Sequence, residues 1–131
     1  MQQGLINALE AETERVNNSG IIQLNLKITG ESYSLGEQRE LVLFRIFQET
    51  LNNTLKHAAA SRLNLSLQYS EQLFNLTLED DGMGFSPNQM AGNAGLGLKN
   101  MENRAAMMGA VTTIYSAPTK GCSINISLDP N

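Results

Sequence analysis

The sequence predicts a two-layer α/β sandwich, α+β in the broader sense, in which a mixed, mostly antiparallel sheet carries helices on one face and water on the other. Each clear strand pattern has one apolar and one polar side, as in Leu63, Leu65, Leu67 and Tyr69 against Asn64, Ser66 and Gln68. A sheet covered by helices on both faces would need apolar residues on both. Segments of helical period stand between these strands, and 131 residues suffice to close a single core.

Residues 4–17 read as a helix with Leu5, Ile6, Leu9 and Val16 as its apolar positions, ended by the turn residues Asn17-Asn18-Ser19-Gly20. The period then changes to two, with Ile22, Leu24, Leu26 and Ile28 alternating with Gln23, Asn25 and Lys27. After a connection from Gly30 to Gly36, residues 37–58 form the longest helical segment, and Leu41, Leu43, Phe44, Phe47, Leu51 and Leu55 fall on one broad side. Two strands follow, the one from Leu63 to Tyr69 and one with Phe74, Leu76 and Leu78 inward. Leu98 to Met108 is expected to be a helix closed by Gly109, residues 111–116 a less clearly patterned strand, and Ile124, Ile126 and Leu128 the inward side of the last strand.

With 41% apolar and 17% charged residues the chain is globular rather than disordered, and its net charge of −4 disfavours nucleic acid as a partner. One cysteine, Cys122, excludes an internal disulfide, and with one histidine, His57, a Cys/His zinc site is not expected. Both counts suit a reducing cytosol, and neither a signal peptide nor a membrane-spanning run is evident, so an anchor in a parent protein would lie outside this chain.

Three groupings carry chemistry. On the long helix, Glu49, Asn53 and Lys56 recur at i, i+4 and i+7, with His57 at the edge of the stripe. An acid, a carboxamide and a cation so placed can serve as a base, a hard-cation ligand and a phosphate partner. An ordinary solvated face has the same spacing. The second grouping is Glu79-Asp80-Asp81-Gly82-Met83-Gly84-Phe85 at a strand end. Alternation points Asp80 to the core side, where an acid is costly unless paired or liganded, and the two glycines let the backbone approach a ligand. Turn chemistry alone also uses such residues. The third is Gly92-Asn93-Ala94-Gly95-Leu96-Gly97-Leu98, running into a helix, whose free N–H groups and dipole suit phosphate. It has neither the spacing of a Walker loop nor a parallel βαβ surround.

In this order the groupings resemble the ATP-binding catalytic domains of bacterial sensor histidine kinases, within the wider group of gyrase, Hsp90 and MutL, and most closely the branch with a short dimerising helix pair upstream. The likeness covers residues 4–129. Phe47 to Ala58 is similar to the N box and Asp80 to Phe85 to the DxGxGF box. Gly95-Leu96-Gly97-Leu98, with Met101 and Arg104-Ala105, resembles the lid and its helix, and Gly121-Cys122 the closing G-T segment.

The resemblance implies Mg-ATP as ligand. Asp80 would accept from the adenine amino group, with Gly82, Gly84 and Phe85 beside the base. Asn53 would bind Mg²⁺, Lys56 and His57 would lie near the phosphates, and Glu49 would orient or deprotonate the attacking imidazole. Gly95, Leu96, Gly97 and Leu98 would form a lid hinge. The γ-phosphoryl group would pass to a histidine of an upstream dimerisation and phosphoacceptor domain, and a response regulator would be served indirectly. The segment before the first strand is too short for that helix pair. Residues 1–131 are therefore expected to be a single ATP-binding domain, cytoplasmic and monomeric in isolation, of a kinase whose anchor, if any, is in the inner membrane. His57 is not the expected acceptor, so the chain would bind Mg-ATP without phosphorylating itself. Cys122 stands where the family usually has Thr, Asp81 where Asn is frequent and Asn103 where Glu is frequent. By alternation Cys122 should lie near Asp80 and act as a weak hydrogen-bond donor in the pocket. The same boxes also fit a serine kinase of the anti-sigma-factor type, or a nucleotide-binding module without turnover.

Overall fold

A computed structural model describes residues 4–55, 61–81, 93–116 and 122–130. In chain order the elements are α1 (Gly4–Ser19), β1 (Gln23–Thr29), α2 (Glu37–Asn53), β2 (Arg62–Tyr69), β3 (Phe74–Asp80), α3 (Asn93–Met107), β4 (Val111–Ser116) and β5 (Cys122–Leu128). The strands form one five-stranded sheet in the order β1-β2-β3-β5-β4. The β1–β2 pair is parallel and the other three are antiparallel, so the sheet is mixed and mostly antiparallel, as expected. None of the described helices is long and apolar enough to cross a membrane.

The helices lie side by side on one face: α1 over β1, α2 beside α1, and α3 between α2 and β4. Side chains of the central strands alternate as the sequence predicts. Leu63, Leu65, Leu67, Phe74, Leu76, Leu78, Ile124 and Ile126 are all buried beneath the helices. The opposite face is a polar surface stitched by side-chain hydrogen bonds, Asn25 to Asn64 (3.0 Å), Thr77 to Asn125 (2.9 Å) and Ser127 to Asn75 (2.6 Å). Alternation weakens at the edge: Ile28, expected inward, is exposed on β1, which has no strand beyond it among the described residues.

Three expectations are corrected. The first helix runs on to Ser19, past its expected end at residue 17. The Asn17 amide brackets the β1 backbone, accepting from Leu24 N–H at 2.7 Å and donating to Leu24 O at 2.9 Å. On α2 the buried arc comprises Glu40, Leu43, Ile46, Phe47, Thr50, Leu51 and Thr54. Leu41 and Leu55, expected on the core side, are exposed, and Ile46 is wholly buried. The helix is clamped between α1, α3 and the sheet, so contact with those neighbours, rather than the centroid of its apolar residues, sets its rotation. Finally, α3 starts at Asn93 rather than Leu98, so Gly95 and Gly97 sit within its first turns. Glycine permits α-helical dihedrals at a cost of about 1 kcal/mol relative to alanine, and the helix-forming Ala94, Leu96 and Leu98 are interleaved with it.

The end of α3 follows its expected signal. Gly109 has φ +82°, its N–H donates to Ala106 O at 3.0 Å, and Ala110 N–H donates to Ala105 O at 2.9 Å. That is a Schellman cap, with the buried Ala105 and Ala110 as its apolar contact.

Candidate functional site

The register determines which ends of the elements meet. Leu63 pairs with Asp80 across β2–β3, and Leu78 pairs with Ile124 across β3–β5. One further step of the second register sets Asp80 opposite Cys122, and Cys122 pairs with Ser116 of β4. The start of β2, the end of β3, the start of β5 and the end of β4 therefore share one end of the sheet. The chain leaves α2 at this end, because α2 is followed by β2. The last turn of α3 leads into Val111 of β4 at the far end, so its first turns lie at the near end. Glu49, Asn53, Asp80, Gly95, Gly97 and Cys122 thus come from four elements that converge on one end of the sandwich.

Asp80 is half-buried and continues the inward positions of Phe74, Leu76 and Leu78. The acid aimed at the core side in the sequence is therefore found at the rim of the core rather than inside it. Glu49 is half-buried on the flank of α2 that also carries Val42 and Arg39, and those two residues face α3 across a shared groove. Asn53 closes the regular part of α2, and the next N–H, that of Thr54, donates to the carbonyls of Thr50 and Leu51. Of Asn53, Gly95, Leu96, Gly97, Leu98 and Cys122 the backbone placement is described. Lys56, His57, Gly82, Gly84 and Phe85 lie outside the described residues.

Two groups of this framework carry no signal that the motifs supply. Asp81, noted in the sequence as standing where the family often has Asn, is an anchor. Its carboxylate accepts from Ser61 N–H (2.9 Å), Ser61 Oγ (2.7 Å) and Arg62 N–H (2.8 Å). These hydrogen bonds, led by that of the Ser61 hydroxyl, hold the Asp81 carboxyl below the usual carboxylate range. They bind the chain re-entering the sheet after α2 to the residue that follows Asp80. The second is Glu40, buried at the other end of α2. It accepts from Leu5 N–H at 3.1 Å and Leu35 N–H at 3.0 Å, tying the first turn of α1 and the β1–α2 connection to α2. Its position at i, i+3 and i+7 with Leu43 and Phe47, an acid on an apolar stripe, is the signal that could have found it.

Comparison with known proteins accords with this layout. Residues 38–131 match the model of the family described as histidine kinase-, DNA gyrase B-, and HSP90-like ATPase. The chain is 30% identical over 125 residues to the signal transduction histidine-protein kinase/phosphatase DegS of Brevibacillus brevis, covering 95% of this chain and 32% of that protein. It is 33% identical over 123 residues to the signal transduction histidine-protein kinase/phosphatase UhpB of Salmonella typhimurium, covering 94% of this chain and 23% of that protein. The chain thus spans a third or less of these curated relatives. Among solved structures, the blue-light activated histidine kinase of Erythrobacter litoralis EL346 superposes with a TM-score of 0.73 at 22% identity, over 96% of this chain and 42% of that one, which shows a shared fold.

Proposed function

The chain belongs to the histidine kinase-, DNA gyrase B-, and HSP90-like ATPase family, and from that premise we propose that it is the Mg-ATP-binding catalytic domain of a sensor histidine kinase. In the full protein it would transfer the ATP γ-phosphoryl group to a histidine of an upstream dimerisation domain, from which a response regulator is then served. The observation that carries this reading is the convergence of Glu49, Asn53, Asp80, Cys122 and the glycines of α3 on one end of the sheet, beneath the helix layer. The names of the relatives, histidine-protein kinases, favour histidine over serine as the acceptor.

The residues present fit such a ligand. Asp80 stands half-buried at the rim of an apolar core, where a flat base could slide in and offer it an amino hydrogen. Gly82 and Gly84, which follow it in the sequence, carry no side chain that would compete with the base. The Asn53 side-chain oxygen is of the hard type that Mg²⁺ takes, and the ion would spread the charge developing on the phosphates. Lys56 and His57, which follow Asn53 in the sequence, would add cationic and hydrogen-bonding capacity for the phosphates. Glu49, half-buried on the same helix, is the base: it would hold the imidazole N–H of the incoming histidine and accept its proton as the new P–N bond forms. The glycines at the start of α3 allow that end of the helix to rearrange over the phosphates.

Calorimetric titration of the chain with ATP, with and without Mg²⁺, tests the reading. ATP is expected to bind, more tightly with the ion, and Asp80→Asn is expected to weaken it by roughly tenfold, as loss of a charged hydrogen bond does. Unchanged affinity removes Asp80 from the adenine site. In the full-length kinase Glu49→Gln should abolish phosphorylation of the histidine while leaving ATP affinity in place.

A further inference from the structure

The same helix pair carries a second feature at its opposite end. Between the first half of α2 and the last turn of α3 runs a groove of about 750 Å³, lined chiefly by Arg39, Leu41, Val42, Arg45, Arg104 and Met107. Two of its apolar residues are large and kept in water, Leu41 37% and Met107 88% exposed, while Val42 is half-buried. Its charges are all of one sign: three guanidinium groups, and among the described lining residues no carboxylate. This is a local reversal on a chain of net charge −4. Arg39 is held in place, donating to Asp129 O at 3.1 Å.

We infer that this groove docks an amphipathic helix with acidic flanks, contributed by a protein partner. A ridge of apolar side chains at i, i+3, i+4 and i+7 fills a groove between two helices, and carboxylates beside that ridge meet the three arginines. Methionine side chains at the wall adapt to such a ridge. A flat anionic membrane would leave the concave floor at Leu41 and Val42 uncovered. A second copy of this chain offers no matching ridge among its described helices, because α1, which carries the exposed Glu10 and Glu14, has already buried Leu5, Leu9 and Val16. Val42 and Glu49 are on one flank of α2, separated by about 10 Å along the helix axis. A helix seated in the groove therefore bears on both helices that frame the candidate site. The inference does not depend on nucleotide binding.

Fluorescence anisotropy with the full chain tests it, using two labelled designed peptides of roughly four helical turns. Both carry a Leu/Met ridge, one with Glu on its flanks and the other with Lys. The Glu peptide is expected to bind roughly tenfold or more tightly than the Lys peptide, and to lose a similar factor with Arg45→Glu and with Met107→Ala. Both residues are exposed, and an unchanged thermal melt confirms that the variants remain folded. Equal binding of the two peptides, no binding of either, or undiminished binding by both variants overturns the inference. So does either of two results in the absence of peptide binding: co-sedimentation with phosphatidylglycerol vesicles that Arg45→Glu abolishes, or a concentration-dependent dimer that Met107→Ala abolishes.

Discussion

Replacing Glu40 by alanine removes the acceptor of two backbone donors at once, the N–H groups of Leu5 and Leu35. Each donor left unsatisfied in a buried site costs about 1–3 kcal/mol. The negative charge beside the first turn of α1 adds about 0.3–1 kcal/mol through the helix dipole. Glu40 is 8% exposed, so water can reach part of the vacated space, and the lower half of the range applies, about 3 kcal/mol. For a chain of this size each kcal/mol moves the melting temperature by roughly 4 °C, so Glu40→Ala should melt some 10–15 °C below wild type. Glu40→Gln keeps one carbonyl oxygen but turns an amide N–H₂ toward the second donor, so it should lose roughly half as much. The Tyr69 phenol, pushed up to about 12 chiefly by burial and then by the Glu40 charge, should titrate lower in both variants while remaining raised. Differential scanning calorimetry with an ultraviolet tyrosine titration reads both effects. An alanine variant melting within roughly 3 °C of wild type, or a glutamine variant as unstable as the alanine one, refutes the view that Glu40 serves two buried amides.

Other expectations concern the anchors around the sheet. Asp81→Ala removes three hydrogen bonds to the Ser61–Arg62 turn; because the carboxylate is solvent-exposed, the loss should be no more than about 1 kcal/mol by urea unfolding. The folded-state pKa of Asp81 is depressed from 3.8, so its contribution is complete above that value and disappears as pH falls through the lower folded one. The gap between wild type and Asp81→Ala should therefore close in acid, and a gap that persists at the lowest pH assigns the loss to something other than the carboxylate. Gly30→Ala would place a methyl group 2.0 Å from Tyr69 O at φ +85° and should destabilise by about 3 kcal/mol or more. Gly20→Ala, with φ +75° but nothing within 4 Å, should cost only about 1 kcal/mol. Similar losses at the two glycines would show that the close approach to Tyr69 is relieved by backbone movement.

Much of the site's layout is legible in the chain because it depends on parity. Once β3 is a strand with Phe74, Leu76 and Leu78 inward, Asp80 must share their side, and the register carries Cys122 toward it. Glu49 and Asn53 share a stripe for the same kind of reason, a fixed helical period. Legibility fails where the outcome depends on a neighbour distant in sequence. Glu40 finds Leu5 N–H across 35 residues, and Asp81 finds Ser61 across 20. The sequence places the start of α3 at Leu98 rather than Asn93 because Gly95 and Gly97 weaken the helical signal without forbidding the helix.

The sequence alone determined the fold class, the one-sided sheet and the family resemblance, because the two-residue period of a strand and the spacing of its glycines and acids are local properties set by backbone sterics. The strand order β1-β2-β3-β5-β4, the parallel pairing of β1 with β2 and the buried arc of α2 are set by contacts between segments distant in the chain. Those outcomes turn on which surfaces compete for the same apolar area. The α2 helix has neighbours on three sides, so Ile46 enters the core while Leu41 and Leu55 are left in water.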